Sequence, residues 1–209
     1  EVAWFGDKHP NDAIHSICVK RSTKTVTLVF RGTVNTHNWK NNMKFGMLKQ
    51  YNPITNEIYK GRSDHVNIHC GFGLYLLRRW NSGLHSNNLQ EILEKCNTIG
   101  REMAPDGKFR LSIAGHSLGG ALATIASFYA SADKRFTAVA PVRVFTFAAP
   151  RVGDQSFLDA YRHLEQTGRL FHARFMNCRD IVPLIPWCSF QGRKDGRWYK
   201  HVGLQVKLH

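Results

Sequence analysis

The chain has 209 residues, 43% of them hydrophobic and 21% charged, which fits one globular domain with its own core and excludes a disordered chain. No stretch approaches the roughly 20 apolar residues of a membrane helix; the longest nearly apolar run, Gly119 to Ala130, reads as a buried helix. Lysine and arginine outnumber aspartate and glutamate by 29 to 15, a formal net charge of +14 that draws the surface to anionic partners. The charge is dispersed in small clusters (Lys20-Arg21, Arg78-Arg79, Arg193 to Lys200), and no basic run is interleaved with stacking aromatics, so no nucleic-acid module is expected.

Strand and helix patterns alternate along the chain, which predicts an α/β domain with a largely parallel sheet. His15 to Lys20 and Thr25 to Phe30 read as strands around the polar turn Arg21-Ser22-Thr23-Lys24. Thr33 to Arg62 is long for a connection, rich in Asn, Lys and Gly, yet carries Trp39, Phe45, Met47 and Leu48; such insertions often cover sites. Val66 to Cys70 is a short β-rich run. Leu84 to Met103 places Leu84, Leu89, Ile92, Leu93, Cys96, Ile99 and Met103 at helical spacing and stops before Pro105. Phe109 to Ala114 is a strand, Leu118 to Ser131 a small-residue helix, and Val142 to Ala148 an apolar strand ended by Pro150. Asp154 to Leu164 is a helix and Leu170 to Asn177 a strand; Arg197 to Val206 supplies the last one or two. No repeat or low-complexity segment interrupts this order.

Five cysteines (Cys18, Cys70, Cys96, Cys178, Cys188) cannot all pair within the chain and match no Cys-x-x-Cys pattern. Cys18 and Cys70 read as buried thiols; Cys178 with Cys188 is the pair to examine for a disulfide.

The chemical signal is Gly115-His116-Ser117-Leu118-Gly119-Gly120, a Gly-x-Ser-x-Gly. Its serine sits on a sharp strand-to-helix turn that only glycine-sized neighbours allow. The context fits: Phe109 to Ala114 leads in as a strand, and Ala121, Leu122, Ala123, Ile125 and Ala126 lead out as a helix. A serine hydroxyl needs an imidazole base, and the imidazole needs a carboxylate, in the chain order Ser, acid, His. Of Asp154, Asp159, Asp180 and Asp195, Asp180 directly follows a strand, at the carboxyl end where open α/β sheets place their sites. The two histidines after it, His201 and His209, do not satisfy the pattern: His201 lies in a strand-like run, Trp198 to Leu204, and His209 is terminal. The backbone N–H of Leu118 is the expected oxyanion donor, with a second from Thr33, after the strand ending Phe30-Arg31-Gly32.

Taken in order, seven segments resemble the class 3, fungal-type lipases. They are Phe30 to Thr33, Asn38-Trp39, His69 to Phe72, Gly115 to Gly120, Phe145 to Gly153, Asp180 to Pro183, and Tyr199 to Gly203. The resemblance implies an α/β-hydrolase fold, a central mostly parallel sheet flanked by helices with a lid-like insertion. It implies Ser117 as nucleophile, Asp180 as triad acid, Thr33 and Leu118 as oxyanion donors, and Val34 to Met43 as a mobile lid. In this family the catalytic histidine comes later than the segment resembling Tyr199 to Gly203. The chain is therefore expected to be one domain, 1–209, shortened at both ends, with its base beyond residue 209 and His201 the weaker candidate.

The activity implied is hydrolysis of lipid carboxylic esters, acylglycerols or phospholipid acyl chains, at an interface, with no metal or organic cofactor because the chemistry is acyl transfer. Peripheral contact with anionic membranes follows from the charge. Two other readings stay open: a lipase-like scaffold that binds without turnover, and an esterase acting on small soluble esters. No signal peptide begins the chain.

Overall fold

The computed structural model describes residues 1–6, 13–32, 46–77, 87–186, 188–189 and 197–208. In chain order the strands and helices are β1 (Val2–Gly6), β2 (His15–Lys20), β3 (Thr25–Phe30), β4 (Met47–Tyr51), β5 (His65–His69), α1 (Cys70–Leu77), α2 (Asn88–Met103), β6 (Arg110–His116), α3 (Leu118–Ala132), α4 (Lys134–Thr137), β7 (Val142–Phe147), α5 (Gln155–Gln166), β8 (Leu170–Asn177), β9 (Cys188–Ser189), β10 (Arg197–Trp198) and β11 (Leu204–Leu208). Among the described residues, no helix is long and apolar enough to cross a membrane.

Local signals explain most of these elements. β3 alternates buried Val26, Leu28 and Phe30 with half-buried Thr25, Thr27 and Val29, the period-2 pattern of a strand with one covered face. α2 opens on a capping box, in which the Asn87 side chain accepts from the Gln90 N–H and the Gln90 side chain accepts from the Asn87 N–H. It buries Leu89, Ile92, Leu93, Cys96 and Ile99 along one stripe. α5 is capped by Asp154, whose carboxylate accepts from the N–H groups of Ser156 and Phe157.

Seven strands form the central sheet in the order β1-β2-β3-β6-β7-β8-β11. β1, β2 and β3 pair antiparallel, and from β3 onward every pairing is parallel. This is the α/β-hydrolase architecture expected from the sequence. The parallel steps from β3 to β6, β6 to β7 and β7 to β8 run through helical crossovers, which is why the carboxyl ends of β6, β7 and β8 lie side by side along one edge.

The two faces of the sheet differ. Ile17, Val19, Val26, Leu28, Phe30, Leu111, Ile113 and Val144 point into the core with the buried stripes of α2, α3 and α5. Apart from buried Ala173, the opposite face carries half-buried or exposed side chains from Ser16 and Cys18 across to β11. At its β7–β8–β11 end that face is apolar: Phe145, Phe147, Phe171, Ala173, Phe175, Leu204, Val206 and Leu208 sit in register. Phe171 is 45% exposed and Leu204 62%. Parallel sheets ordinarily have both faces covered, so this patch is an exposed hydrophobic surface larger than scattered residues produce.

Several expectations change. The long Thr33 to Arg62 segment is not wholly a loop: β4 pairs antiparallel with β5, so Met47 and Leu48 belong to a hairpin rather than to a mobile lid. The turn joining the two strands is packed, with Asn52 buried and donating to Tyr59 Oη (2.6 Å) and to the Ser63 carbonyl (2.7 Å). The lid proper, Val34 to Met43 with Trp39, and also Phe45, lie outside the described residues, as does the Leu84 start of the helix seen from Asn88. Cys70 begins α1 rather than ending a strand, and it is only half-buried, as is Cys18. Cys96 is the enclosed thiol, which burial pushes up to about 12. The Cys188 side chain lies outside the described residues, so its pairing with Cys178 does too.

Candidate active site

β6 ends at His116, α3 begins at Leu118, and Ser117 alone makes the turn, at φ 54° and ψ −122°. That conformation costs a non-glycine residue about 1–3 kcal/mol and persists only where the surroundings hold it. Here they do. The Ser117 N–H donates to the Phe147 carbonyl (2.9 Å), and the Ser117 carbonyl accepts from the N–H groups of Gly120 (2.9 Å) and Ala121 (3.2 Å). The helix then doubles back over its own strand. A Cβ on Gly115 would lie 2.1 Å from the Gly119 carbonyl oxygen, and one on Gly119 would lie 2.3 Å from the Phe30 carbonyl oxygen. These contacts are the physical reason for the Gly-x-Ser-x-Gly spacing.

The turn puts Ser117 at the amino end of a 15-residue helix. First-turn N–H groups have no partner within a helix, and the aligned peptide dipoles favour negative charge there. With Gly120 and Ala121 bonded to Ser117, the Leu118 N–H is the first-turn donor next to the serine. Gly32 lies against it from the end of β3: a Cβ built there would stand 3.8 Å from Ser117 Cβ. Thr33, the next residue, lies outside the described residues.

Asp180 follows β8 by three residues, half-buried on the same edge of the sheet, with only β7 between its strand and that of Ser117. Its N–H donates to the Asn177 carbonyl (3.1 Å) and its Oδ1 accepts from the Val182 N–H (2.9 Å), which fixes the carboxylate in a local turn. Phe147, Ile181 and Leu184 are exposed near this edge, so the serine and the aspartate are flanked by apolar surface.

His201 is not on a strand. It lies between Lys200, which bridges to Gly153, and Gly203 at φ 81°, in the connection that enters β11. Its Nε2 donates to the Pro183 carbonyl (2.6 Å). Burial, and then the charges of Arg174 and Arg151, hold its pKa down to about 4. Among the described residues it makes no hydrogen bond to Ser117 or Asp180. The structure thus brings Ser117, Leu118 and Asp180 to one edge and leaves His201 committed elsewhere.

Two features had no sequence signal. Ala148 adopts φ 51° directly after β7, and its N–H donates to the Phe175 carbonyl (2.9 Å). An alanine in a left-handed conformation is not distinguishable by pattern. Behind the serine runs a buried polar chain. Thr124 Oγ1 donates to the Gly120 carbonyl (2.8 Å), and Ser127 Oγ donates to the Thr124 carbonyl (2.8 Å) and meets Tyr161 Oη (2.9 Å). Tyr161 Oη meets His172 Nδ1 (2.9 Å), and His172 Nε2 meets Thr146 Oγ1 (2.9 Å). It ties the first turns of α3 to α5, β7 and β8. Burial, followed by the charges of Arg174 and His201, pushes the His172 pKa down to about 3.

Residues 27–190 match the sequence model of the family described as Lipase (class 3). The chain belongs to the class 3 lipase family. Phospholipase A1-IIgamma of Arabidopsis thaliana is 31% identical over 195 residues, covering 89% of this chain and 44% of that protein. Secreted mono- and diacylglycerol lipase 1 of Fusarium solani is 27% identical over 183 residues, covering 88% and 46%. The triacylglyceride lipase of Rhizomucor miehei superposes with a TM-score of 0.71 at 21% identity, over 99% of this chain and 66% of that one. This class 3 lipase chain thus spans less than half the length of the curated relatives it matches here.

Proposed function

We propose that the protein hydrolyses carboxylic esters of lipids by acyl transfer through Ser117, with Asp180 as the acid of its triad. The observation that carries this reading is the strained turn at Ser117. An L-residue is held at positive φ, at the amino end of a buried helix, on the edge that also carries Asp180. In the reaction the Ser117 hydroxyl attacks the ester carbonyl, and the developing oxyanion is met by the Leu118 N–H and by Thr33. Collapse expels the alcohol, and water then releases the fatty acid from the acyl-enzyme. Asp180 orients the imidazole and stabilises its cation. The engagement of His201 with Pro183, and its depressed basicity, support a base supplied from outside the described residues.

The apolar flanks Phe147, Ile181 and Leu184 favour esters of long acyl chains over small soluble esters. Relatives named as a phospholipase A1 and as a mono- and diacylglycerol lipase fit that class, which comprises acylglycerols and phospholipid acyl chains presented at an interface. The test is turnover by the full-length protein of an emulsified long-chain glyceride, a phospholipid and a soluble short-chain ester, each with and without Ser117→Ala. Loss of at least about 10⁴-fold on the lipid esters is expected. Equal turnover by the variant, or hydrolysis restricted to the soluble ester, contradicts the reading.

A further inference from the structure

Among the described residues, two guanidinium groups, those of Arg174 and Arg151, meet no carboxylate. Arg174, on β8, is only 4% exposed. Its Nη2 donates to Gln205 Oε1 (2.9 Å), its Nη1 to Met176 Sδ (3.5 Å), and its Nε has no acceptor among the described residues. Arg151 donates to the carbonyls of Leu184 and Pro186. Elsewhere arginines meet acids: Arg135 meets Glu94 and Asp133, Arg169 meets Glu57, and Arg62 meets Asp64. Among the described residues no such pair includes Arg174 or Arg151.

Both charges bear on His201. Burial, and then the charge of Arg151, lowers the Arg174 pKa, while burial alone lowers that of Arg151. His201, Arg151, Trp198, Tyr199 and Lys200 line an open depression of about 490 Å³. Its described wall holds two cationic side chains, Arg151 and Lys200, and no acidic one. Burying a cation without a counter-charge is costly, and Gln205 offers Arg174 a dipole where a carboxylate would offer a charge.

We propose that this depression binds a phosphate dianion, either free phosphate or a phosphomonoester headgroup, held at its wall by Arg151 and Lys200. Arg174 adds its field from the interior. Two uncompensated guanidiniums favour a ligand carrying more than one negative charge, which a carboxylate lacks. A planar guanidinium can present paired donors to phosphate oxygens, and the lysine ammonium adds a point charge. The phosphate proposal does not depend on the Ser117 chemistry.

The experiment titrates inorganic phosphate into the full-length protein at constant ionic strength, reading the thermal midpoint and the His201 ring titration by NMR. A saturable rise in Tm is expected in the millimolar range, together with an upward move of the His201 pKa as an anion offsets the two arginines. Lys200→Gln and Arg151→Gln should each weaken the apparent affinity about tenfold. Gln205→Glu should raise Tm without phosphate and diminish the phosphate response, because an internal carboxylate then balances Arg174. A phosphate response no larger than that of sodium chloride at equal ionic strength overturns the proposal, as does one retained in Lys200→Gln. That side chain is exposed, so its loss leaves the interior intact even if Arg151→Gln fails to fold. Displacement of bound phosphate by phosphatidate-containing vesicles, and not by phosphatidylcholine vesicles, identifies a headgroup as the source. Lack of displacement identifies free phosphate, and either result supports the site.

Discussion

The Ser117 N–H and the Phe147 carbonyl are joined by a 2.9 Å hydrogen bond, so the nucleophile stays locked to the ladder between β6 and β7 even as its backbone turns out of the strand. The strain at φ 54° is therefore carried by the sheet rather than by the first turn of α3 alone. The neighbouring glycines matter for a different reason, since they remove Cβ atoms that the return of the helix would strike.

That distinction can be measured. Gly115→Ala places a methyl 2.1 Å from the Gly119 carbonyl oxygen and should cost about 3 kcal/mol or more. Gly107→Ala, at φ 71° with nothing within 4 Å of the new methyl, should cost only about 1 kcal/mol of backbone strain. Denaturant unfolding of the two variants compares a collision with a strained but roomy turn. Similar losses would mean that the elbow relaxes.

Acid stability should fall in a defined window. His172 titrates near 3 and His201 near 4 in the fold, against an ordinary value of 6.5. Both folded values are depressed, so the unfolded chain takes up protons first as pH drops below about 6.5. The stability is fully present above that pH and is lost on descending toward 4 and then 3, at up to ~1.4 kcal/mol per pH unit for each ring. Urea midpoints between pH 7 and 4 test this, and His201→Gln should reduce the slope. Glu57, held below its ordinary range mainly by Arg169, adds a loss at pH below 4.5. A flat profile from pH 7 to 4 would contradict the burial of these rings.

The uncovered sheet face should reveal itself. Residues 1–209 expressed alone should bind an apolar dye such as ANS in the folded state. Phe171→Lys and Leu204→Lys, at 45% and 62% exposure, should lower dye binding and self-association while leaving Tm nearly unchanged. A large drop in Tm instead would mean that these side chains are packed.

Much of this architecture was legible in the sequence. β2, β3 and β8 have the bounds that the sequence predicts; in β2 and β3 alternation and β-branched content mark a strand whose one face is buried. The elbow was legible because its motif is mechanical. Less was legible where packing overrides pattern. β1 is an edge strand with little buried surface, β4 hides in a polar segment that only pairing with β5 orders, and Cys70–Leu77 holds two glycines and aromatics yet is a helix against α3. His201 read as part of a strand because Tyr199 and Val202 are buried, but they are buried by a connection and not by a ladder. The pairing of Arg174 with Gln205 could not be read at all, since it depends on the register of two parallel strands whose partners lie 31 residues apart.

The formal charge of +14 predicts salt-sensitive adsorption to anionic surfaces. Co-sedimentation with vesicles containing anionic lipid should be strong at about 0.01 M salt and weak at about 0.5 M, where the screening length falls to a few ångströms. Equal binding to neutral vesicles at low salt would remove electrostatics from the account.

The central claim is that Ser117 is an activated nucleophile, and covalent capture tests it most directly. The full-length protein is incubated with an alkyl phosphonate ester bearing a good leaving group, then digested and mapped by mass spectrometry. The account predicts a single stoichiometric adduct on the peptide containing Ser117, loss of ester hydrolysis in step with labelling, and no adduct in Ser117→Ala. An unlabelled Ser117 in folded, hydrolytically active protein, or an adduct elsewhere that abolishes activity, would contradict it.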